Sequence, residues 1–69
     1  MTNITAANIE KIVYIFVSED KIAKFVFVKN HDVVGVFNGD KLAFTRTRAV
    51  AEIAVTRASK NSPIEIIRY

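Results

Sequence analysis

Runs of apolar residues separated by short polar segments fill the first two-thirds of the chain. The polar segments are Ser18–Lys21, Asn30–His31 and Asn38–Gly39. Turn signals at this spacing are typical of consecutive antiparallel strands, and Asn-Gly between apolar runs favours a type I′ hairpin turn, in which both central residues need φ > 0. The pattern therefore predicts a β-meander. Its expected strands are Lys11–Val17, Ile22–Lys29, Asp32–Phe37 and the shorter Asp40–Phe44.

The hydrophobic period changes after Thr45. The segment Ala49–Lys60 has neither Gly nor Pro, and its apolar positions repeat with the period of a helix. Thr45 and Thr47 are N-cap candidates and Asn61 fits the C-terminal cap, while Pro63 stops any continuation. The expected buried face consists of small side chains, which lets the helix lie close to the sheet. Its members are Val50, Ala51, Ala54, Val55 and Ala58.

The last segment, Ile64–Tyr69, reads as a final strand. Beside the first strand it would run antiparallel, and beside the fourth it would run parallel. We favour the first position, because it pairs the free edge of a well-formed strand. Residues 2–10 fit a short helical turn, an extra edge strand or a flexible tail. The pattern as a whole predicts a single α+β domain over residues 1–69: a meander of three to four strands, one amphipathic helix packed on the sheet, and a C-terminal strand.

Composition limits how such a domain can be stabilised. The chain has 69 residues, 51% of them hydrophobic, and no cysteine. One small core leaves only ~3–5 kcal/mol of stability, and disulfides or thiolate zinc sites cannot add to it. The start of the chain lacks the features of a signal peptide, and no apolar run approaches the ~20 residues of a membrane helix. These features predict a cytoplasmic protein with no membrane partner.

Residues that carry catalysis are scarce. The one histidine, His31, lies at an expected turn, and carboxylates such as Asp32 and Asp40 also lie at turns, where Asp is favoured for backbone reasons. One His and no Cys cannot supply a usual zinc site, and the two glycines form no phosphate loop. Gly35, inside a strand, indicates a bulge or close packing. We therefore predict no enzymatic activity, no cofactor, no metal site and no small-molecule substrate.

A basic set surrounds the expected helix: Arg46, Arg48, Arg57 and Lys60. The net charge is +3, and such side chains can neutralise phosphates or contact a protein partner. These basic residues could instead have purely structural roles that are common in small domains. Arg57 and Lys60 complement the helix dipole, and Arg48 can pair with Glu52 four residues later.

The strands are apolar on both faces, whereas one helix covers only one face. A soluble antiparallel sheet normally has a polar outer face, so the second face should be covered by curling of the sheet, by a second copy or by another protein. Self-association predicts a contact face that includes Tyr14, Phe16 and Val26 or Phe27, since the sequence does not settle which side of the second strand points outward.

The stretch from Phe25 through Ser59, three strands and then an Ala-rich helix opened by basic residues, loosely resembles the second half of a double-stranded-RNA-binding domain. That resemblance implies RNA as a partner, although the family's opening helix and lysine cluster have no counterpart here. The layout also looks like that of compact phage-encoded proteins that bind and modulate a host enzyme. We expect a non-enzymatic protein-binding module, as a homodimer or bound to a larger partner, with DNA or RNA binding as the alternative.

Overall fold

The computed structural model describes residues 8–69, which form a five-stranded antiparallel sheet with one helix on one face. The elements are β1 (Ile9–Ser18), β2 (Lys21–Val28), β3 (Val33–Asn38), β4 (Lys41–Thr47), α1 (Arg48–Ser59) and β5 (Ile64–Arg68). This is the expected α+β fold. Ile9 and Glu10 belong to β1, and the expectations for residues 2–7 lie outside the described residues.

The strand order is β4-β3-β2-β1-β5, so the final strand takes the favoured place beside β1. It runs antiparallel to β1, with Ile12 opposite Ile67 and Ile15 opposite Ile64. β4 continues three residues beyond the expected end at Phe44, because Thr45, Arg46 and Thr47 pair with the first half of β3. The resemblance to a double-stranded-RNA-binding domain covers only the stretch from within β2 to the end of α1. The strands β1 and β5 lie outside it and make the sheet larger.

Capping hydrogen bonds define both ends of helix α1. The Thr47 hydroxyl accepts from the Val50 N–H at 3.4 Å, which makes Thr47 the N-cap. Lys60 is the C-cap, one residue before the expected Asn61. Asn61 instead donates its N–H to the Ala58 carbonyl at 3.0 Å and tightens the last turn.

The main core lies between α1 and the sheet. Phe27, Val13 and Val34 are its largest fully buried side chains, and Ala51 is fully buried on the helix side. Ala51 and Val55 are buried, and Ala54 and Ala58 pack against the core, so four of the five residues expected on the buried face of the helix lie there. Val50 does not join them: it is 48% exposed, because the first turn lies at the outer strand β4 rather than over the centre of the sheet.

The path of α1 is diagonal. The helix begins at the end of the sheet that holds Asp32, whose carbonyl accepts from the Arg48 N–H, and β5 begins at the opposite end, beside Ile15. A 12-residue helix is about 18 Å long, and the two outer strands are about 19 Å apart across four strand spacings. The helix alone is therefore shorter than its diagonal course from β4 to β5. Residues 60–63 complete the crossing, and one corner of that face stays uncovered.

One charged side chain is buried at the edge of this core. Lys11 is 8% exposed; its ammonium donates to the two Glu52 carboxylate oxygens at 3.2 and 3.3 Å. The same ammonium lies 4.7 Å from the centroid of the Phe27 ring. The pair joins β1 to the middle of α1.

The β3–β4 turn differs from the expected one by one residue. Asn38 pairs with Lys41, so the central residues are Gly39 and Asp40, and of these only Gly39 has a positive φ, 65°. A positive φ at the first central residue alone is the pattern of a type II′ turn, which places Gly there. The hairpin is as expected, but the type I′ assignment is wrong.

Replacing Gly39 by Val tests this turn. No atom lies within 4 Å of a Cβ built at Gly39, so the cost comes from the left-handed backbone alone. We expect Gly39→Val to lower the free energy of unfolding by more than ~1 kcal/mol. Gly39→Asn is the control and should cost less, since Asn tolerates this conformation. Chemical denaturation measures both, and equal stabilities of the three proteins would contradict the assigned turn.

Substitution of the two partners in the Lys11–Glu52 pair should lower the stability of the fold by different amounts. Glu52→Ala removes the only carboxylate that Lys11 contacts among the described residues, and we expect it to cost about 1–2 kcal/mol. Lys11→Met should cost less, because Met fills similar apolar space and the Glu52 side chain, 46% exposed, can be hydrated. Urea denaturation gives the order. A larger loss for Lys11→Met would contradict the expectation that the main cost is a buried ammonium left without its carboxylate.

Candidate functional site

The face of the sheet opposite α1, called here the open face, is apolar on all five strands. Alternation along each strand and the cross-strand register determine its members, for example Ile12 opposite both Val26 and Ile67. They are Ile9, Ile12, Tyr14, Phe16, Ile22, Lys24, Val26, Val28, Val33, Gly35, Phe37, Leu42, Thr45, Thr47, Glu65 and Ile67. No described helix packs on this face.

The centre of the open face is shielded within one chain. Ile12, Val26 and Val28 form a second buried cluster, against which Ile9, Tyr14 and Phe37 pack. Neighbouring side chains within the sheet thus shield the centre, which differs from the three coverings expected from the sequence: curling of the sheet, a second copy or another protein. This covering extends over the centre only.

Exposed apolar side chains surround that centre. Ile22 is 42% exposed, Val33 44%, Leu42 53% and Ile67 37%. The charged members of the face are Lys24 and Glu65, and the Lys24 ammonium lies 5.3 Å from the centroid of the Phe37 ring. Exposed apolar patches larger than a few hundred Å² mark interaction sites on soluble proteins, so this border is the candidate binding surface of the described residues.

Gly35 shapes this surface. A Cβ at position 35 would lie 3.0 Å from Phe37 Cε1 and 3.5 Å from Leu42 Cδ1. Its absence lets both side chains lie over β3, beside a shallow cavity of about 140 Å³ bordered by Val28 and Val33. The glycine is a site of close packing, one of the two interpretations that a glycine inside a strand allows.

Three of the four residues expected on an association face, Tyr14, Phe16 and Val26, belong to the open face. Phe27 does not: it points to α1 and is fully buried, because neighbouring residues of a strand face opposite sides. Val26 is itself 5% exposed, so the accessible positions are the border residues. Alternation from Val26 leads to Ile22, which the expected set omitted.

The basic residues form two pairs at opposite ends of α1. Arg46 packs with its guanidinium 4.3 Å from the centroid of the Phe44 ring. Arg48 forms a salt bridge with Glu10 rather than with Glu52, which is paired with Lys11. Arg57 and Lys60 lie near the other end of the helix, and Arg57 is about 13 Å from Arg48 along the axis.

His31 is exposed in the turn between β2 and β3 and borders a surface depression with Glu10, Asp32 and Arg48. Ser18, the last residue of β1, lies at the opposite end of the sheet. Within residues 8–69, no three His, Cys, Asp or Glu side chains are grouped so that they could hold a metal ion. In the same range, no helix has the length and apolarity to cross a bilayer.

Comparison with family models, curated proteins and solved structures found no match.

Proposed function

We propose that this chain is a non-enzymatic protein-binding module whose binding surface is the open face, and that a second copy of the chain occupies it. The observation that carries the proposal is the exposed border of Ile22, Val33, Leu42 and Ile67 around a packed apolar centre. Removing such side chains from water favours association by about 25 cal/mol per Å², before the cost of bringing two molecules together.

The size of the face supports a modest but specific interface. Five strands at about 4.8 Å spacing, each contributing about six residues of 3.3 Å, give a flat footprint of roughly 400 Å². Side-chain relief raises the accessible area above this footprint. Standard interfaces bury about 800 Å² per partner, about twice this flat footprint, so pairing of the whole face gives an interface smaller than the standard one.

The charge of the face supports a second copy as its occupant. Lys24 and Glu65 have opposite signs, so two open faces bring no net charge together. A two-fold arrangement also buries the same apolar border on both copies at once. A small core has little stability to spare, so dimer formation adds to the stability of the fold.

Substitutions at the two ends of the border test the proposal. Leu42→Glu on β4 and Ile67→Glu on β5 place a carboxylate on an exposed part of the open face, so the monomer should still fold. We expect the wild-type chain to sediment as a dimer over a micromolar concentration series, and each variant to raise the dissociation constant at least tenfold. Ile53→Glu is the matched control, since Ile53 is 55% exposed on α1 and should leave the dimer unchanged.

A wild-type chain that stays monomeric at high micromolar concentration, with a cooperative melt, would contradict the dimer. If Leu42→Glu and Ile67→Glu then abolish capture of one defined protein that wild type and Ile53→Glu both bind, the occupant is that protein instead. Val26→Glu is not a suitable probe, because Val26 is buried and its substitution unfolds the centre of the face.

A further inference from the structure

The diagonal course of α1 leaves an apolar groove at the corner of the sheet near the β1–β2 and β3–β4 turns. Ala23, Phe25 and Val36 contribute to its base, and Val17 and Phe44 stand at its sides, in a cavity of about 360 Å³. Val17 is 55% exposed and Phe44 45%. This volume is at the lower end of the range of ligand sites and admits one large apolar side chain.

The groove adjoins an open sheet edge. β4 is an outermost strand, and all seven of its residues are exposed. An edge strand presents backbone N–H and C=O groups to which an extended segment can add as a further strand. In such complexes the backbone hydrogen bonds provide affinity, and pockets for alternate side chains provide specificity.

Cations flank the groove on the same face of the sheet. The register places Lys41, Phe44 and Arg46 on the α1 side of β4, opposite Asn38, Val36 and Val34. Lys21 borders the groove from the start of β2, and β4 itself contains no acidic residue. The ligand that complements this edge is negatively charged on either side of an apolar group.

We propose that β4 and the corner groove bind an extended acidic segment of a partner protein, which adds to the sheet as a sixth strand and inserts one apolar side chain between Val17 and Phe44. The base of this site lies on the α1 side of the sheet, and Ile22 and Phe37 of the open face also border it. Strand addition at β4 uses the sheet edge and does not require a dimer. A peptide is favoured over a nucleic acid because the Arg46 guanidinium already covers one side of the Phe44 ring, which leaves that side unavailable for stacking of a base.

Defined peptides test the site. The probes are fluorescein-labelled nine-residue peptides with Asp and Glu flanking a central Leu, the same peptide with a central Asp, and a Lys-flanked Leu peptide. Anisotropy should detect the acidic Leu peptide binding at least tenfold more tightly than the other two, with affinity that falls as salt rises. Amide hydrogen exchange should show new protection in β4 and none in β5.

Charge reversal provides the matched variants. Lys41→Glu with Arg46→Glu should weaken the acidic peptide at least tenfold, whereas Arg57→Glu with Lys60→Glu makes the same change of net charge at the far end of α1 and should not. Phe44→Ala, checked for a cooperative melt, should remove the preference for the central Leu.

The proposal is overturned if no peptide protects β4 at millimolar concentration, if both double variants weaken binding equally, or if the acidic and Lys-flanked peptides bind alike. It is also overturned if a single-stranded RNA or DNA oligonucleotide binds through Lys41 and Arg46 more tightly than the acidic peptide. Sedimentation of the wild-type chain reports the open face separately, so failure of one site leaves the other measurable.

Discussion

The helix has to carry the chain from one edge of the sheet to the other, because β4 and β5 are the two outer strands. With 12 residues, α1 covers most of that width, and residues 60–63 complete the crossing. Its course therefore fixes which apolar side chains it covers, and it leaves uncovered the whole of the opposite face and one corner of its own face. The two proposed binding surfaces are both products of this single connection.

Apolar side chains are buried in different ways on the two faces of the sheet. Beneath α1, large strand residues such as Phe27 meet alanines on the helix, so the layers approach closely and water is excluded by a second element. On the open face, Ile12, Val26 and Val28 are covered only by neighbours within the sheet. Such lateral covering does not reach the outer strands, where Leu42 and Ile67 are exposed, or the strand ends, where Ile22 and Val33 are exposed.

Local sequence patterns predicted the strands and the helix well, but they predicted side-chain orientation, ion-pair partners and the position of the β3–β4 turn less well. Alternation and turn residues indicated the meander, the helix and the last strand, because these depend on neighbouring residues. Val26 and Phe27 are both apolar, which left the side of β2 that faces α1 unassigned. Lys24, which lies inside β2 and in phase with Val26, is the signal that marks the Val26 side as the outer one. Arg48 and Lys11 pair with carboxylates 38 and 41 residues away, and only the folded topology reveals those partners. The shift of the β3–β4 turn by one residue was hidden because Asn38 suits both a turn and the end of a strand.

The pairing of β5 with β1 also has a kinetic consequence. Neighbouring strands of the meander join through short turns, whereas β5 meets residues about fifty positions earlier in the chain, so its docking carries the largest loop-closure entropy in the sheet. Meander formation should therefore precede docking of β5 during folding. Until then one edge of β1, with Ile12, Val13 and Ile15 along it, has no strand beside it. The aggregation hazard of this chain is thus greatest in that interval, and a substitution in β5 that slows docking would lower the yield of folded protein even if the native state lost little stability.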